Sequence, residues 1–259
     1  MVASLSSAPS AGLVDGGRRS RLVRRPQHSV EKRGILRVVT TERVLTVDQA
    51  RAFYDRMGAW QDWQRFYEDP ALRRLLQGAK FQAAHSIIEF GCGTGRFALQ
   101  VLSEIAPADC RYLGIDVSPT MVTLARARLG SYSDRAEVSV SDGAVTIGEP
   151  DGSFDRYVSN YVLDLLSRES TGQLLSEAHR LLGPGGLLCL VSLTHGRSAF
   201  QKSVSGVWSR IQAARPALVG GCRPIELLDF VSSPDWRVEF RDVVSSFGLS
   251  SEVLAAARV

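Results

Sequence analysis

From Val47 onward the spacing of apolar residues changes character several times. Val47 to Tyr54 is amphipathic at helical spacing, Trp60 to Tyr67 continues with aromatics at the same spacing, and Ala71 to Phe81 reads as a third short helix. Short apolar runs then alternate with longer amphipathic ones. Ser86 to Phe90, Tyr112 to Ile115, Val138 to Val140 and Phe154 to Ser159 are predicted strands. Thr94 to Ile105, Pro119 to Leu129 and Thr171 to Leu182 are predicted helices, the last closed by Gly183-Pro184-Gly185-Gly186. Leu187 to Leu193 is almost wholly apolar, as in a central strand covered on both faces. A helix over Ser198 to Ala214 and two strands, Trp236 to Val243 and Glu252 to Val259, complete the pattern. The alternation reads as five βα repeats. It predicts an α/β fold with a doubly wound parallel sheet, because parallel neighbours need crossover connections. Ligands of such sheets bind beyond the carboxyl ends of the strands, so chemistry is sought in the residues that follow each strand.

Composition adds little to the class and something about partners. The 259 residues are 44% hydrophobic and 22% charged, ordinary for a globular chain. The net charge of +4 is unevenly placed: residues 1–45 carry +6 and the rest −2, so the body has no general field for nucleic acid. Residues 1–34 are rich in Ser, Gly and Arg, contain only Asp15 and Glu31 as acids, and lack periodicity. Residues 1–45 are therefore expected to be a disordered basic tail. A dispensable tail and a cytoplasmic protein are the preferred reading; an Arg-rich, acid-poor organelle signal is the alternative. No apolar run long enough to span a membrane is present. Cys92, Cys110, Cys189 and Cys222 lack metal-ligand spacing, and no metal is expected.

Three strand ends carry the candidate chemistry. The first runs Glu89-Phe90-Gly91-Cys92-Gly93-Thr94-Gly95-Arg96, a turn whose glycines permit close approach of backbone to ligand. A dinucleotide fingerprint would need glycine where Arg96 stands, which disfavours a pyrophosphate cradle. The second ends at Asp116, spaced to accept hydrogen bonds from ribose hydroxyls. Its competing role as a helix N-cap is already filled by Ser118 before Pro119. The third leads into Ser141-Asp142-Gly143-Ala144, where Asp142 either meets an exocyclic amine or forms an Asp-Gly turn.

Taken in order, the stretches IIEFGCGTGRFALQVL, YLGIDVSPTMVTLARARL, VSVSDGAV, FDRYVSNYVLDLL and EAHRLLGPGGLLCLVSL, over about residues 85–195, resemble the class I S-adenosylmethionine-dependent methyltransferase family. The Gly-rich loop and the LLGPGG turn are most similar to its small-molecule, ubiquinone/menaquinone-methylase-like group. The resemblance implies a Rossmann-like seven-stranded sheet whose antiparallel last strand, Glu252 to Val259, lies between strands five and six. It implies an N-terminal helical cap at 46–84 and a domain at 85–259, with an acceptor-pocket insertion near 196–234. It implies S-adenosyl-L-methionine as cofactor. Glu89, Gly91, Cys92, Gly93 and Gly95 would line its methionine end, and Asp116 would hold the ribose. Val117 and Met121 would pack beside the nucleoside, and Asp142, Gly143 and Ala144 would meet the adenine. Asn160 and Tyr161 would sit where donor meets acceptor. The chain reads Ser159-Asn160-Tyr161-Val162 and lacks the Asn-Pro-Pro-Tyr of amino-group methyltransferases that act on nucleic acids or protein glutamines. The expected partner is a small-molecule acceptor, lipid-like or aromatic, with a macromolecular acceptor or non-catalytic cofactor binding as rivals.

A sulfonium donor is already electrophilic, so a base is needed only where the acceptor must lose a proton. His195, directly after the fifth strand, and Tyr161 are the catalytic candidates; a loop histidine that meets only solvent is the plainer role for the former. Asp164 is expected to cap or face solvent. Tyr54, Trp60 and Trp63 either form an aromatic lid or pack the helical cap. Arg223 either binds an anionic acceptor or is a surface charge.

Overall fold

The computed structural model describes residues 44–216, 220–231 and 234–259. All but the last two residues of the predicted tail, and any targeting signal in it, lie outside the described residues.

Thr46 opens the first helix, α1 (Val47–Met57), with a reciprocal capping box to Gln49. Gly58, at φ +49°, stops it in a backbone conformation that a side chain resists. Of the stretch Trp60 to Tyr67 predicted as helix, the part from Arg65 is α-helical, and the part up to Gln64 belongs to a 3-10 turn, Gly58–Gln64. Residues three apart eclipse in that geometry, and the rings of Trp60 and Trp63 accordingly stack at 6.3 Å. α2 (Arg65–Gly78) begins six residues before the predicted third helix and carries Pro70 inside it. Proline leaves the Phe66 carbonyl without its usual helical donor. The Ser246 hydroxyl donates to it instead at 3.0 Å, tying α2 to the far end of the sheet.

The sheet has seven strands: β1 (Ser86–Phe90), β2 (Arg111–Asp116), β3 (Ala136–Val140), β4 (Phe154–Asn160), β5 (Leu182–Thr194), β6 (Trp236–Ser246) and β7 (Leu249–Arg258). Their order is β3-β2-β1-β4-β5-β7-β6, with the first five parallel and β7 antiparallel to both neighbours. The last strand of the chain thus inserts between the fifth and sixth, as the sequence implied. α3 (Arg96–Glu104) and α4 (Pro119–Arg128) follow β1 and β2, α5 (Arg168–Leu181) precedes β5, and α6 (Ala199–Ala214) and the short α7 (Leu228–Val231) precede β6. The expected five βα repeats reduce to four. Residues 141–153, between β3 and β4, contain no helix, and the return to the middle of the sheet is a loop. The Gly183 to Gly186 turn lies within β5, where the register to β4 jumps between Phe154 and Arg156.

Two apolar layers sandwich the sheet. Leu75, Phe97, Val101 and Val122 cover one face over Ile87, Val158 and Val191; Leu174, Ala178 and Leu181 cover the other over Ile88, Tyr157 and Leu190. The chain winds one way from β1 through β3 and the other way from β4 to β5. The crevice where the direction reverses lies between the carboxyl ends of β1 and β4.

Candidate functional site

A cavity of 460 Å³ opens at that crevice. One wall is the β1–α3 turn. Gly91, at φ +78°, lies so close to Val162 that a Cβ would stand 2.4 Å from its Cγ2. At Gly93, φ +52°, a Cβ would meet nothing within 4 Å, so this residue presents bare backbone to open space in the cavity wall. Glu89 reaches in from β1 and is almost wholly buried. Its Oε2 accepts from the Tyr112 hydroxyl at 2.7 Å and its Oε1 from Asn160 Nδ2 at 3.2 Å. Burial pushes its carboxyl up to about 8 against the opposing pull of those two donors. Asn160 Oδ1, also buried on the cavity wall, has no hydrogen-bond partner among the described residues.

Asp116 closes the second side. Its Oδ2 accepts from Gly93 N–H and its Oδ1 from Ser118 N–H, both at 2.9 Å, so the carboxylate is held in place by the two loops it joins. Burial raises its pKa, with those backbone donors opposing. Ser118 does cap α4, accepting from Met121 N–H at 3.1 Å, which leaves Asp116 free of that duty. Val117, Met121, Ser141, Gly143 and Ala144 continue the wall.

The remaining wall comes from the N-terminal elements, of which the sequence singled out only Tyr54. Tyr54, Gln61, Gln64, Tyr67 and Glu68 face the cavity from α1, the 3-10 turn and α2, opposite Tyr161 and Cys222. The rings of Tyr67 and Tyr161 meet edge to face at 5.8 Å, and the Tyr161 hydroxyl bonds Ser251 at 2.9 Å. Tyr161 holds φ +56°, a left-handed backbone that costs an aromatic residue roughly 1–2 kcal/mol. Glu68 is buried and paired to Arg96 at 2.8 Å. Burial pushes its carboxyl up to about 7, with the Arg96 charge opposing.

Polar contacts hold the cap against the sheet loops. Arg51 Nε donates to the Val117 carbonyl at 3.0 Å, and Asp55 accepts from the Ser118 hydroxyl at 2.5 Å and Thr120 N–H at 3.3 Å. Asp62 accepts from Thr94 Oγ1 at 2.7 Å and pairs with Arg128 at 2.6 Å; Arg96 also pairs with Asp69. α1 contains no fully buried residue, so these polar contacts add to the half-buried packing of Phe53 and Tyr54 in holding it. Of the aromatics considered for a lid, Tyr54 lines the cavity, while Trp60 and Trp63 point outward and are largely exposed.

Eleven of the fourteen sequence-predicted residues line this one cavity: Glu89, Gly91, Cys92, Gly93, Asp116, Val117, Met121, Gly143, Ala144, Asn160 and Tyr161. Three lie off it. Gly95 packs against Ala125, where a Cβ would stand 3.1 Å from the backbone, and serves the approach of α3 to α4. Asp142 is exposed and accepts from Ala144 N–H at 2.8 Å, which is the Asp-Gly turn role. His195 is exposed beyond β5. Asp164, expected to cap or face solvent, is fully buried and accepts from Leu193 N–H at 3.3 Å; burial pushes it up to about 7. Arg223 lies off the cavity and donates to the Leu166 carbonyl. Cys92 is buried, and burial pushes its thiol well up, which suits a small loop residue and not a nucleophile.

The donor set fits a nucleoside joined to a cationic amino acid: a carboxylate at the ribose position, a second carboxylate beside an unpartnered amide oxygen, and exposed backbone between them. Residues 87–186 match the family model of a methyltransferase domain. Together with the sheet order this makes the segment a class I methyltransferase domain, the family whose cofactor is S-adenosylmethionine. The chain is 32% identical over 126 residues to the non-reducing polyketide synthase trt4 of Aspergillus terreus, a match covering 48% of this chain and 5% of that protein. It is 35% identical over 109 residues to the arsenite methyltransferase of Aquipseudomonas alcaligenes, covering 39% and 31%. The chain thus spans well under half the length of either relative. Among solved structures it is similar to the [4+2]-cyclase SpnF, with a TM-score of 0.64 at 18% identity over 83% of this chain and 97% of that one. That likeness is one of fold. Among the described residues no group of three or more His, Cys, Asp and Glu could hold a metal, and no helix is long and apolar enough to cross a membrane.

Proposed function

We propose that this protein transfers a methyl group from S-adenosylmethionine to an apolar or aromatic small molecule held under the cap. The observation that carries the reading is the convergence of Glu89, bare Gly93 and Asp116 on one side of a cavity whose other side is Tyr54, Tyr67 and Tyr161. Bound there, S-adenosylmethionine supplies a methyl on a positively charged sulfur, already activated for in-line displacement. Asp116 takes the ribose hydroxyls on its two remaining lone-pair positions. Glu89 and the free Asn160 Oδ1 take the ammonium group, while Val117 and Met121 flank the nucleoside, and Gly143 and Ala144 border the base. The division into a cap at 46–84 and a domain at 85–259 follows from these roles.

The cap supplies alignment and exclusion of water. Tyr161 is held by Ser251 and by the Tyr67 ring, and its hydroxyl is kept protonated by burial, so it orients an acceptor and does not deprotonate it. His195 is too far out to act as the base. Glu68, buried on the cavity wall with a carboxyl near 7, is the group placed to take a proton where the acceptor must lose one. The rings of Tyr54, Tyr67 and Tyr161 on the wall opposite Gly93 and Asp116 favour an apolar or aromatic acceptor; the arsenite and polyketide relatives are consistent with a small molecule.

The test uses purified protein, methyl-labelled S-adenosylmethionine and a cell extract, with Asp116→Ala as control. Label in an organic-soluble or small polar product supports the reading. Label only in acid-precipitable material would move the acceptor to a macromolecule. Cofactor binding without any labelled product would favour a reaction other than methylation on the same fold.

A further inference from the structure

The outer surface of the cap and the end of the sheet form a continuous aromatic belt. Trp60 is 72% exposed and Trp63 75%, with their rings stacked on each other. Trp63 shares a surface groove with Phe66 and Phe247, whose rings meet at 5.5 Å. Phe247 and Gly248 form the two-residue turn between β6 and β7, with φ +51° and +86°. Positive φ at both central residues is the I′ pattern, where Asn-Gly is the comfortable pair. A phenylalanine in that first position is strained, and at 82% exposure it gains almost no burial in return. The belt continues onto α6 through Phe200, which reaches to 3.0 Å of where a Gly248 Cβ would stand. α6 is turned the unusual way round. Ser205 and Gln212 are its buried residues, while Phe200, Val207 and Ile211, one helical face at i, i+7 and i+11, are exposed.

The exposed charges that border this belt are mainly basic. The acids in the groove, Asp62 and Asp69, are committed to Arg128 and Arg96 inside the molecule, leaving Arg73 as the charge the groove presents. α6 contains no acid; Lys202 and Arg210 lie in it, and Arg197 and Arg215 flank it, all exposed. Tryptophan and phenylalanine bordered by Arg73 and Arg210 suit the headgroup layer of an anionic bilayer. A second copy laid on the same face would set these cations against their own equivalents.

We propose that this belt seats the protein on an anionic lipid surface, with Trp60, Trp63, Phe200 and Phe247 entering the headgroup layer. The same 3-10 turn that points Trp60 and Trp63 outward points Gln61 and Gln64 into the cavity, so the seated face adjoins the acceptor wall. The inference does not depend on methyl transfer.

The experiment is sedimentation of the full chain with vesicles of phosphatidylcholine alone or with about 30% phosphatidylglycerol as the probe, the latter supplying the negative surface potential that attracts basic side chains. Tryptophan emission and solution mass are recorded alongside. Binding to the anionic vesicles with a blue shift is expected, weakened by salt. Phe247→Asn removes turn strain, so it should fold at least as well as the parent yet bind at least about threefold more weakly. Trp60→Ser/Trp63→Ser should lose about tenfold or more, with S-adenosylhomocysteine affinity retained as proof of folding. No vesicle binding, or binding unchanged in both variants, overturns the proposal; so does a dimer in solution that dissociates in the tryptophan variant.

Discussion

Replacing Asp116 by alanine removes an acceptor already fixed by two backbone donors. Calorimetry should record an affinity for S-adenosylhomocysteine reduced by one to two orders of magnitude, about 1.5–3 kcal/mol for a charged hydrogen bond, with an unchanged far-ultraviolet spectrum. Two neighbouring glycines should part company. Gly93→Ala adds a methyl to open space on the cavity wall, so it should weaken binding and lower Tm only by the strain of a side chain at φ +52°, about 1 kcal/mol. Gly95→Ala drives a Cβ to within 3.1 Å of the Ala125 backbone and should lower Tm while sparing binding in the surviving fold. Glu89 gives a pH signature. With its carboxyl near 8, the empty protein carries a proton there at neutral pH, and a bound ammonium group favours its loss. Affinity should rise between pH 6.5 and 8, calorimetry in buffers of different ionisation enthalpy should count about one proton released, and Glu89→Gln should flatten both. Glu89, Gly93 and Asp116 were legible because position after a strand fixes which edge of the sheet a residue reaches. Gly95, Asp142 and His195 sit at that same edge and point elsewhere, and nothing in their sequence spacing encodes that direction.

Among the elements, the strands were the most legible and the cap the least. β1 begins and ends where its apolar run does, and β7 inserts beside β5 because its alternate residues must be buried on both faces. The β3–β4 connection, for which no helix was predicted, is a bare loop, so the count of five βα repeats was one too many. The cap helices showed their amphipathic spacing, but their partners are charged and polar groups 27 to 66 positions away. Asp55 is the clearest of these: the Ser118 hydroxyl bonded to it holds its carboxyl below the usual range. Asp55→Ala should release α1 from the β2–α4 turn. Hydrogen exchange of residues 47–57 should quicken several-fold, and bound S-adenosylhomocysteine should restore less protection than in the parent.

For the whole molecule, the buried acids set a pH dependence of stability. Glu89, Glu68 and Asp164 all have carboxyls raised, to about 8, 7 and 7. In each the folded form holds a proton that the unfolded chain gives up near the ordinary carboxylate value, so their contribution is complete below that value and is lost as pH rises through 7 to 8. Asp55, Asp62 and Asp242, whose pKa values are lowered, act in the opposite sense and cost stability only in acid. Tm should therefore peak at mildly acidic pH and fall between pH 6 and 8.5, and Glu89→Gln should shrink that fall. The aromatic belt could not be read from the chain, because its parts lie in four separate elements that only tertiary structure assembles. The polar ties of the cap carry one more consequence. A closure made of ion pairs and hydrogen bonds between half-exposed groups opens on a clock that dissolved salt can speed up. If departure of the spent ligand limits turnover, rising ionic strength would first accelerate catalysis and then erode it, as faster release gives way to a door that no longer stays shut.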